Sequence, residues 1–188
     1  MTMSTTMTAT TPTHTRPRRL REATVAAGES GSEQMPGEVD WRICRFSELS
    51  PVELARIYRA RQQVFTIEQQ CIYLDADEFD EVSWHIAAWS PALALPLAYA
   101  RLVNPGGKYA EPSIGRVVTA PAVRGRGAGR ALMVEGLARC DAAWPGQGVR
   151  ISAQSHLARF YGTLGFDAVG EPCLEDGIPH VEMLRRPR

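Results

Sequence analysis

The sequence predicts an α+β domain, a mixed central sheet with helices on both faces in three layers. Two observations carry this. Trp84–Trp89 and Leu97–Val103 are apolar runs bracketing a turn with Pro91 and Pro96, which makes a hairpin. Ser113–Thr119 and 149–153 each run into a helical pattern, which makes strand–helix units. A third observation sets the boundary. Residues 1–38 are rich in Thr, Ser, Pro and Gly and carry no periodic apolar face, so the folded domain is expected over 39–188.

The elements follow in order. Trp41–Arg45 reads as a first strand. Ser50-Pro51-Val52-Glu53 is a capping box with proline at the first helical position. Leu54, Ile57, Tyr58, Arg61, Val64 and Phe65 then form a helical stripe to about Thr66. Residues 67–80 mix aromatics with acids and read as a loop with one helical turn. After the hairpin, Asn104-Pro105-Gly106-Gly107 is a turn cluster. Ser113–Thr119 is the central strand. A helix runs from Gly127 to about Trp144, with Met133, Leu137, Cys140 and Trp144 on one stripe and Pro145-Gly146 as its stop. Val149–Ala153 is a strand. Ser155 is expected to cap a helix that Gly165 closes. Phe166–Gly170 is a strand, Asp176-Gly177 a turn, and His180–Leu184 the last strand.

Composition narrows the class. The chain has 188 residues, 44% hydrophobic and 22% charged, as in an ordinary globular domain. Lys+Arg and Asp+Glu are both 21, so bulk charge indicates neither a nucleic-acid nor a membrane partner. The first 38 residues hold Arg16, Arg18, Arg19 and Arg21. Their reading is a disordered extension, since Pro12 and Pro17 oppose the amphipathic helix of a transit peptide. A start codon set too early, with Met35 just before the domain, is the other bland reading. Cys44, Cys71, Cys140 and Cys173 show no zinc or redox spacing and read as reduced thiols in a cytoplasmic protein. Asp75-x-Asp77 with Asp80 lacks the glycine and final glutamate of a calcium loop, so no metal is expected.

The stretch 113–133 carries the chemistry. A β-branched strand ends at Pro121. The run Arg124-Gly125-Arg126-Gly127-Ala128-Gly129-Arg130 then opens a helix. Glycines let backbone approach a ligand, and a helix start offers free N–H groups, so this is a phosphate cradle. It lacks the lysine of a Walker loop. Arg130 stands where the third glycine of a dinucleotide fingerprint belongs.

What remains, Arg124-x-x-Gly127-x-Gly129 after a strand, resembles the pyrophosphate loop of the GNAT N-acetyltransferase superfamily. A second segment agrees. Gln154-Ser-His-Leu157-Ala-Arg-Phe-Tyr161-Gly-Thr-Leu-Gly-Phe166 is similar to that superfamily's Asn-x-x-Ala-x-x-x-Tyr-x-x-x-Gly-Phe, with Gln154 and Leu157 departing from it. Val64-Phe65-x-x-Glu68-Gln69-x-Cys71-x-Tyr73, Gly115-Arg116-Val117 and Glu175-Asp176-Gly177-Ile178-Pro179-His180 resemble the ElaA-like branch. The resemblance covers about residues 41–185.

The resemblance implies acetyl-CoA as donor and an amine as acceptor, small molecule or peptide, in a monomer or homodimer. It implies that backbone N–H groups of 125–130 (Gly125, Arg126, Gly127, Ala128, Gly129 and Arg130) hold the pyrophosphate, with Arg124 beside them. It implies that Val117, Val118 and Thr119 pair with the pantetheine arm, that Gln154 adjoins it, and that the Val118 N–H stabilises the oxyanion. Tyr161 is the general acid toward a thiolate whose thiol has pKa about 8.5. The base is open among His180, His85, His156, Glu68, Glu111, Glu175, a water chain or backbone-assisted loss. His180 is preferred for its place beside the turn that borders the acceptor site in GNAT folds. Glu68, Gln69, Tyr73 and Glu175 are expected on the acceptor side. There acids at 75, 77 and 78 would draw a cationic amine. A non-catalytic acyl-CoA sensor is the alternative reading. A nucleic-acid accessory protein using the Arg16–Arg21 cluster is a third, opposed by the neutral domain.

Overall fold

The structure, a computed structural model, describes residues 38–187; the expectation for the N-terminal extension lies outside them. The strands are β1 Asp40–Arg45, β2 Trp84–Trp89, β3 Ala98–Val103, β4 Ser113–Thr119, β5 Val149–Gln154, β6 Phe166–Ala168, β7 Cys173–Glu175 and β8 Ile178–Arg185. The helices are α1 Pro51–Gln62, α2 Phe79–Val82, α3 Ala128–Ala143 and α4 Ala158–Gly162. The strands form one sheet in the order β1-β2-β3-β4-β5-β8-β6, with β7 also paired to β8. Every pairing is antiparallel except β4 with β5.

Two cores explain the layering. α3 and α4 bury Leu132, Met133, Leu137, Tyr161 and Leu164 against Ile86, Ala100, Ile114, Ile151 and Met183. On the opposite face, Ile57 of α1 and Val64 just beyond its end pack on Ala87, Tyr99 and Val118. β3 is covered on both sides and all six of its residues are buried. The α1 start is the expected capping box. Glu53 N–H donates to Ser50 Oγ (3.2 Å), and Ser50 N–H donates to Glu53 Oε2 (2.9 Å).

Four local expectations are corrected. The α1 stripe continues past Gln62 as a π-helical turn, Gln63–Glu68, because Gln69 N–H reaches Val64 O (2.9 Å). Ser155 does not cap a helix. A 3-10 turn, Ser155–Leu157, precedes α4, and the Ser155 hydroxyl is buried without a partner. The extra strand β7 forms a hairpin with β8 across Asp176-Gly177, both at positive φ (49° and 79°). β6 ends at Ala168 rather than Gly170.

The acidic loop after α1 is not a free acidic surface. Arg61 of α1 is fully buried; its Nε reaches Asp75 (2.7 Å), and its other nitrogens reach Asp80 (2.8 Å) and the Asp75 carbonyl (2.6 Å). Arg101 of β3 binds Asp80 (2.7 Å) and Asp77 (2.9 Å). Arg116 of β4 binds Asp75 (2.8 Å) and Asp77 (3.1 Å). The three carboxylates once weighed for calcium therefore hold three guanidiniums. Burial pushes the Asp80 carboxyl up, but hydrogen bonds from Arg61 and Arg101 outweigh it and leave the group below the ordinary carboxylate range. His85 is buried against the same cluster. Its Nε2–H donates to Asp80 O (2.8 Å), and Tyr99 OH lies 2.8 Å from Nδ1.

Burial holds the His85 imidazole below its ordinary pKa. The unfolded chain therefore takes up a proton near pH 6.5 that the folded chain refuses, and stability falls as pH drops below that value. Urea unfolding between pH 5 and 8 should show this slope, and His85→Gln should flatten it. Arg61→Ala, which takes from each of two buried carboxylates one of its two guanidiniums, should cost about 3–5 kcal/mol in the same assay at pH 7.

Candidate active site

β4 and β5 are neighbours in register only at Ser113 and Arg150. Beyond that point they diverge, because no further ladder binds them. The gap is a cleft of about 330 Å³. Gln69, Cys71 and Tyr73 line it from the loop after α1, Val117 from β4 and Gln154 from β5. Tyr161 of α4 lines it too, as do Glu175 and His180 of the β7–β8 hairpin. Residues distant in sequence and expected at one site are thus brought together. Glu68, Val118 and Thr119 do not line this cleft.

The β4 wall contains a bulge. Tyr99 faces Val118 and Arg101 faces Gly115, so Arg116 and Val117 together oppose the single residue Ala100. Arg116 takes φ +54° to make the bend. Ala120 N–H donates to Leu97 O, just before β3 (2.8 Å), which fixes the alternation along β4. Val118, two residues back, also directs its N–H at β3. The Val117 amide points into the gap instead. The Val118 amide, expected to meet the oxyanion, therefore points away from the gap.

At the end of the gap lies the glycine loop. Pro121–Val123 forms a 3-10 turn, and Gly125 (φ +75°) and Gly127 (φ +83°) carry the chain into α3. The first bond into α3 runs from Ala131 N–H to Gly127 O (3.0 Å). This leaves the N–H groups of Ala128, Gly129 and Arg130 without intrahelical acceptors, at the positive end of a 16-residue helix. Two expectations are narrowed. Arg126 N–H is used in a turn to Val123 O (3.2 Å). The Arg124 side chain is engaged with Thr119 O (3.2 Å) and Glu68 (2.7 Å), so it fastens the loop to the end of the π-helical turn. Arg130 bonds Thr163 Oγ1 (2.5 Å), while the exposed Arg126 guanidinium carries no ion pair among the described residues. An unpaired β4 edge leading to orphaned amides fits an amide-rich arm ending in a pyrophosphate.

Tyr161 is 7% exposed and packs edge-on against Phe160 and Phe166. Burial pushes its phenol up to about 12. Its hydroxyl has no hydrogen-bond partner among the described residues. Such a phenol stays protonated at neutral pH and donates a hydrogen bond to a thiolate rather than surrendering its proton to it.

On the opposite wall, His180 Nδ1–H donates to Ile178 O (2.8 Å), leaving the Nε2 lone pair free. In register His180 lies across from Gln154, whose amide reaches Gln69 Oε1 (3.3 Å) over the gap. The Glu175 carboxylate accepts from Ser152 Oγ. Tyr73 OH bonds Asp75 (3.3 Å), and burial pushes its phenol up to about 12. The other base candidates are committed or distant. His85 is in the ion cluster, Glu68 is paired with Arg124, Glu111 is held by Arg150 (2.9 and 3.0 Å), and the exposed His156 does not line the cleft.

Sequence reasoning assigned no role to Arg101, Lys108 and Arg116, which also line the cleft. One signal was available. Arg61 interrupts the apolar stripe of α1, and a charge on a core-facing stripe asks for acids such as Asp75 and Asp80. Among the described residues no group of His, Cys, Asp and Glu is arranged to hold a metal ion.

Comparisons with known proteins agree with this geometry. Residues 95–186 match the model of an acetyltransferase (GNAT) domain. A UPF0039 protein of Synechocystis is 42% identical over 149 residues, covering 79% of this chain and 96% of that protein. Protein ElaA of Escherichia coli is 37% identical over 149 residues, covering 78% and 96%. Among solved structures, an acyl-CoA N-acyltransferase from Pseudomonas aeruginosa superposes with TM-score 0.74 and 39% identity, covering 79% of this chain and 99% of that one. E. coli ElaA gives 0.73 and 36%, covering 79% and 100%. BjaI, a CoA-dependent acyl-homoserine lactone synthase solved with SAM and isopentyl-CoA, shares the fold at TM-score 0.65 and 14% identity.

The cradle geometry is directly testable. Gly127→Ala forces a Cβ into left-handed backbone at a cost of about 1–2 kcal/mol. Calorimetric titration with CoA should show affinity reduced roughly tenfold if about 1.4 kcal/mol of that cost falls on the bound loop.

Proposed function

The chain belongs to the UPF0039/ElaA family of GNAT acyltransferases, and from that premise we propose that it moves an acetyl group from acetyl-CoA to a primary amine by direct attack. The observation that carries this reading is the β4–β5 gap, with Val117 and Tyr161 both in its lining and the orphaned amides of α3 at its end. The pyrophosphate sits on the N–H groups of Ala128, Gly129 and Arg130, with Arg126 as the free cation nearby. Pantetheine pairs with the β4 edge around Val117 and Thr119, with Gln154 beside it.

The amine nitrogen attacks the thioester carbonyl carbon. The carbonyl oxygen takes the developing charge and is met by Val117 N–H. Tyr161 O–H donates to the departing sulfur as the C–S bond breaks. His180 Nε2 removes the proton that the acceptor ammonium must lose before attack, and the second proton, shed from nitrogen as the tetrahedral intermediate collapses, passes to the departing thiolate and leaves it as the thiol. Glu175 has no lysine or arginine partner among the described residues, which supports a cationic acceptor held near it. Gln69 and Tyr73 shape the same side. The acceptor is a small-molecule or peptide amine, and the enzyme acts as a monomer or homodimer. A cytoplasmic location is in keeping with four unpaired thiols.

The test pairs calorimetric titration of acetyl-CoA and CoA with a free-thiol release assay over a panel of amines. Micromolar binding with amine-dependent thiol release is the expected result. Tyr161→Phe should lower kcat by about 10²-fold while leaving the acetyl-CoA Kd unchanged. Failure of the wild-type protein to bind either thioester or thiol would overturn the reading.

A further inference from the structure

We propose that Arg116 is a positioning residue: clamped by Asp75 and Asp77, it holds the β4 bulge that aims the Val117 amide at the acyl carbonyl. The inference rests on the acyl-transfer reading above and adds a device that sets its oxyanion donor.

The backbone is the first observation. Arg116 stands at φ +54° inside a strand, where glycine would be free of strain and a side chain costs about 1–2 kcal/mol. Such strain persists only when the surroundings over-determine the conformation. The bulge turns on this residue, and Val117 is the next one along the chain, so a change of φ at Arg116 rotates the peptide that carries the Val117 N–H.

The side chain is the second observation. Arg116 Nε lies 2.8 Å from Asp75 Oδ1, and Nη2 lies 3.1 Å from Asp77 Oδ2 and 3.2 Å from the Asp75 carbonyl. The Tyr73 ring lies 5.4 Å from the guanidinium carbon. The fork therefore spends its donors on one short segment rather than on solvent. That segment is anchored in turn. Asp75 is gripped by Arg61 of α1, and Asp77 by Arg101 of β3, directly across the ladder from Gly115. The chain of contacts runs from the frame of the sheet and α1, through two aspartates, to the strained residue beside the reacting centre. An arginine merely making a surface ion pair would not need positive φ. A bulge needed only for sheet twist would not need this fork.

The test reads the carbonyl itself, so it does not depend on knowing the acceptor. Full-length wild-type protein, Arg116→Gly and Arg116→Lys are each saturated with acetyl-CoA carrying 13C at the thioester carbonyl. The isotope-edited infrared band of the bound carbonyl is then recorded. Glycine accepts φ +54° without strain and removes the clamp; lysine keeps the charge and loses the fork.

The wild-type band should shift to lower frequency on binding, as a carbonyl does when it accepts a hydrogen bond. Arg116→Gly should bind acetyl-CoA within about threefold of wild type, since the phosphate cradle is remote, yet lose that shift. Arg116→Lys should keep only part of it. With any amine that supports thiol release, Arg116→Gly should lower kcat by about 10²-fold with KM for acetyl-CoA held, the signature of a donor used in the transition state. Should the glycine variant fail to fold, the lysine variant alone decides, and an undiminished shift there overturns the proposal. An Arg116→Gly complex with the wild-type shift overturns it as well, as does a wild-type complex with no shift. Wild-type protein that binds no acetyl-CoA instead overturns the acyl-transfer reading on which the proposal stands.

Discussion

The loop between the π-helical turn and α2 has almost no regular structure, and three arginines from α1, β3 and β4 hold its carboxylates in place. Each partner is mostly useless alone. A buried guanidinium without its aspartates, or an aspartate without its guanidiniums, is a bare charge in a poor solvent for charge. Three of each sign leave no net charge, and that balance lets the cluster sit under the cleft without giving it a large field. The loop thereby acquires a fixed shape that hydrophobic burial would not give it, since Ile72 and Leu74 are 95% and 90% exposed. Gln69, Cys71 and Tyr73 can then form one wall of the site.

The opposite wall depends on a ladder that stops. β4 and β5 share one register pair and then part, whereas β2–β3 and β5–β8 run in register for five and six residues and β3–β4 pairs on both sides of its bulge. A parting inside a sheet exposes backbone amides that folding would ordinarily pair. The same holds at the α3 start, where three N–H groups lack acceptors. Both sets lie on one path, so one extended ligand with amides and phosphates satisfies both. The sensor alternative shares this geometry up to the phosphate loop. It does not account for a buried, unpartnered phenol on one side of the gap and a half-buried imidazole with a free nitrogen on the other.

Much of this was legible in the sequence, for identifiable reasons. Ser50 and Glu53 announced the α1 start, Pro145-Gly146 the end of α3, and Asp176-Gly177 a hairpin, because local chemistry alone fixes those conformations. Gly125 and Gly127 announced the cradle because the turn needs positive φ at both. The bulge was not legible. Arg116 has no local reason to take a left-handed conformation; the aspartates that hold it lie about forty residues earlier. The direction of the Val118 amide was hidden for the same reason. Whether Val117 or Val118 faces the gap depends on β3 register, which a single strand does not encode. Ser155 looked like a cap because serine before a helix usually is one, yet tertiary packing turned its hydroxyl inward. The acids at 75 and 77 looked available to substrate because their arginine partners were scattered over three elements.

In the proposed reaction, the Tyr161 phenol at about 12 and the free imidazole nitrogen of His180 divide the proton traffic. A thiolate whose thiol has pKa about 8.5 is a tolerable leaving group near neutrality, so it needs a hydrogen bond more than a proton. In that reading Tyr161, kept protonated by burial, supplies the bond throughout the neutral range. Its contribution is therefore constant across the range in which an imidazole changes state. An ammonium acceptor, by contrast, cannot attack until it loses a proton, and that loss occurs on the wall of the cleft where His180 stands. The pH dependence of turnover then reports on the acceptor side alone. Burial on the α4 side insulates the leaving group, while the half-buried hairpin leaves the base in exchange with solvent, to which the proton must finally go.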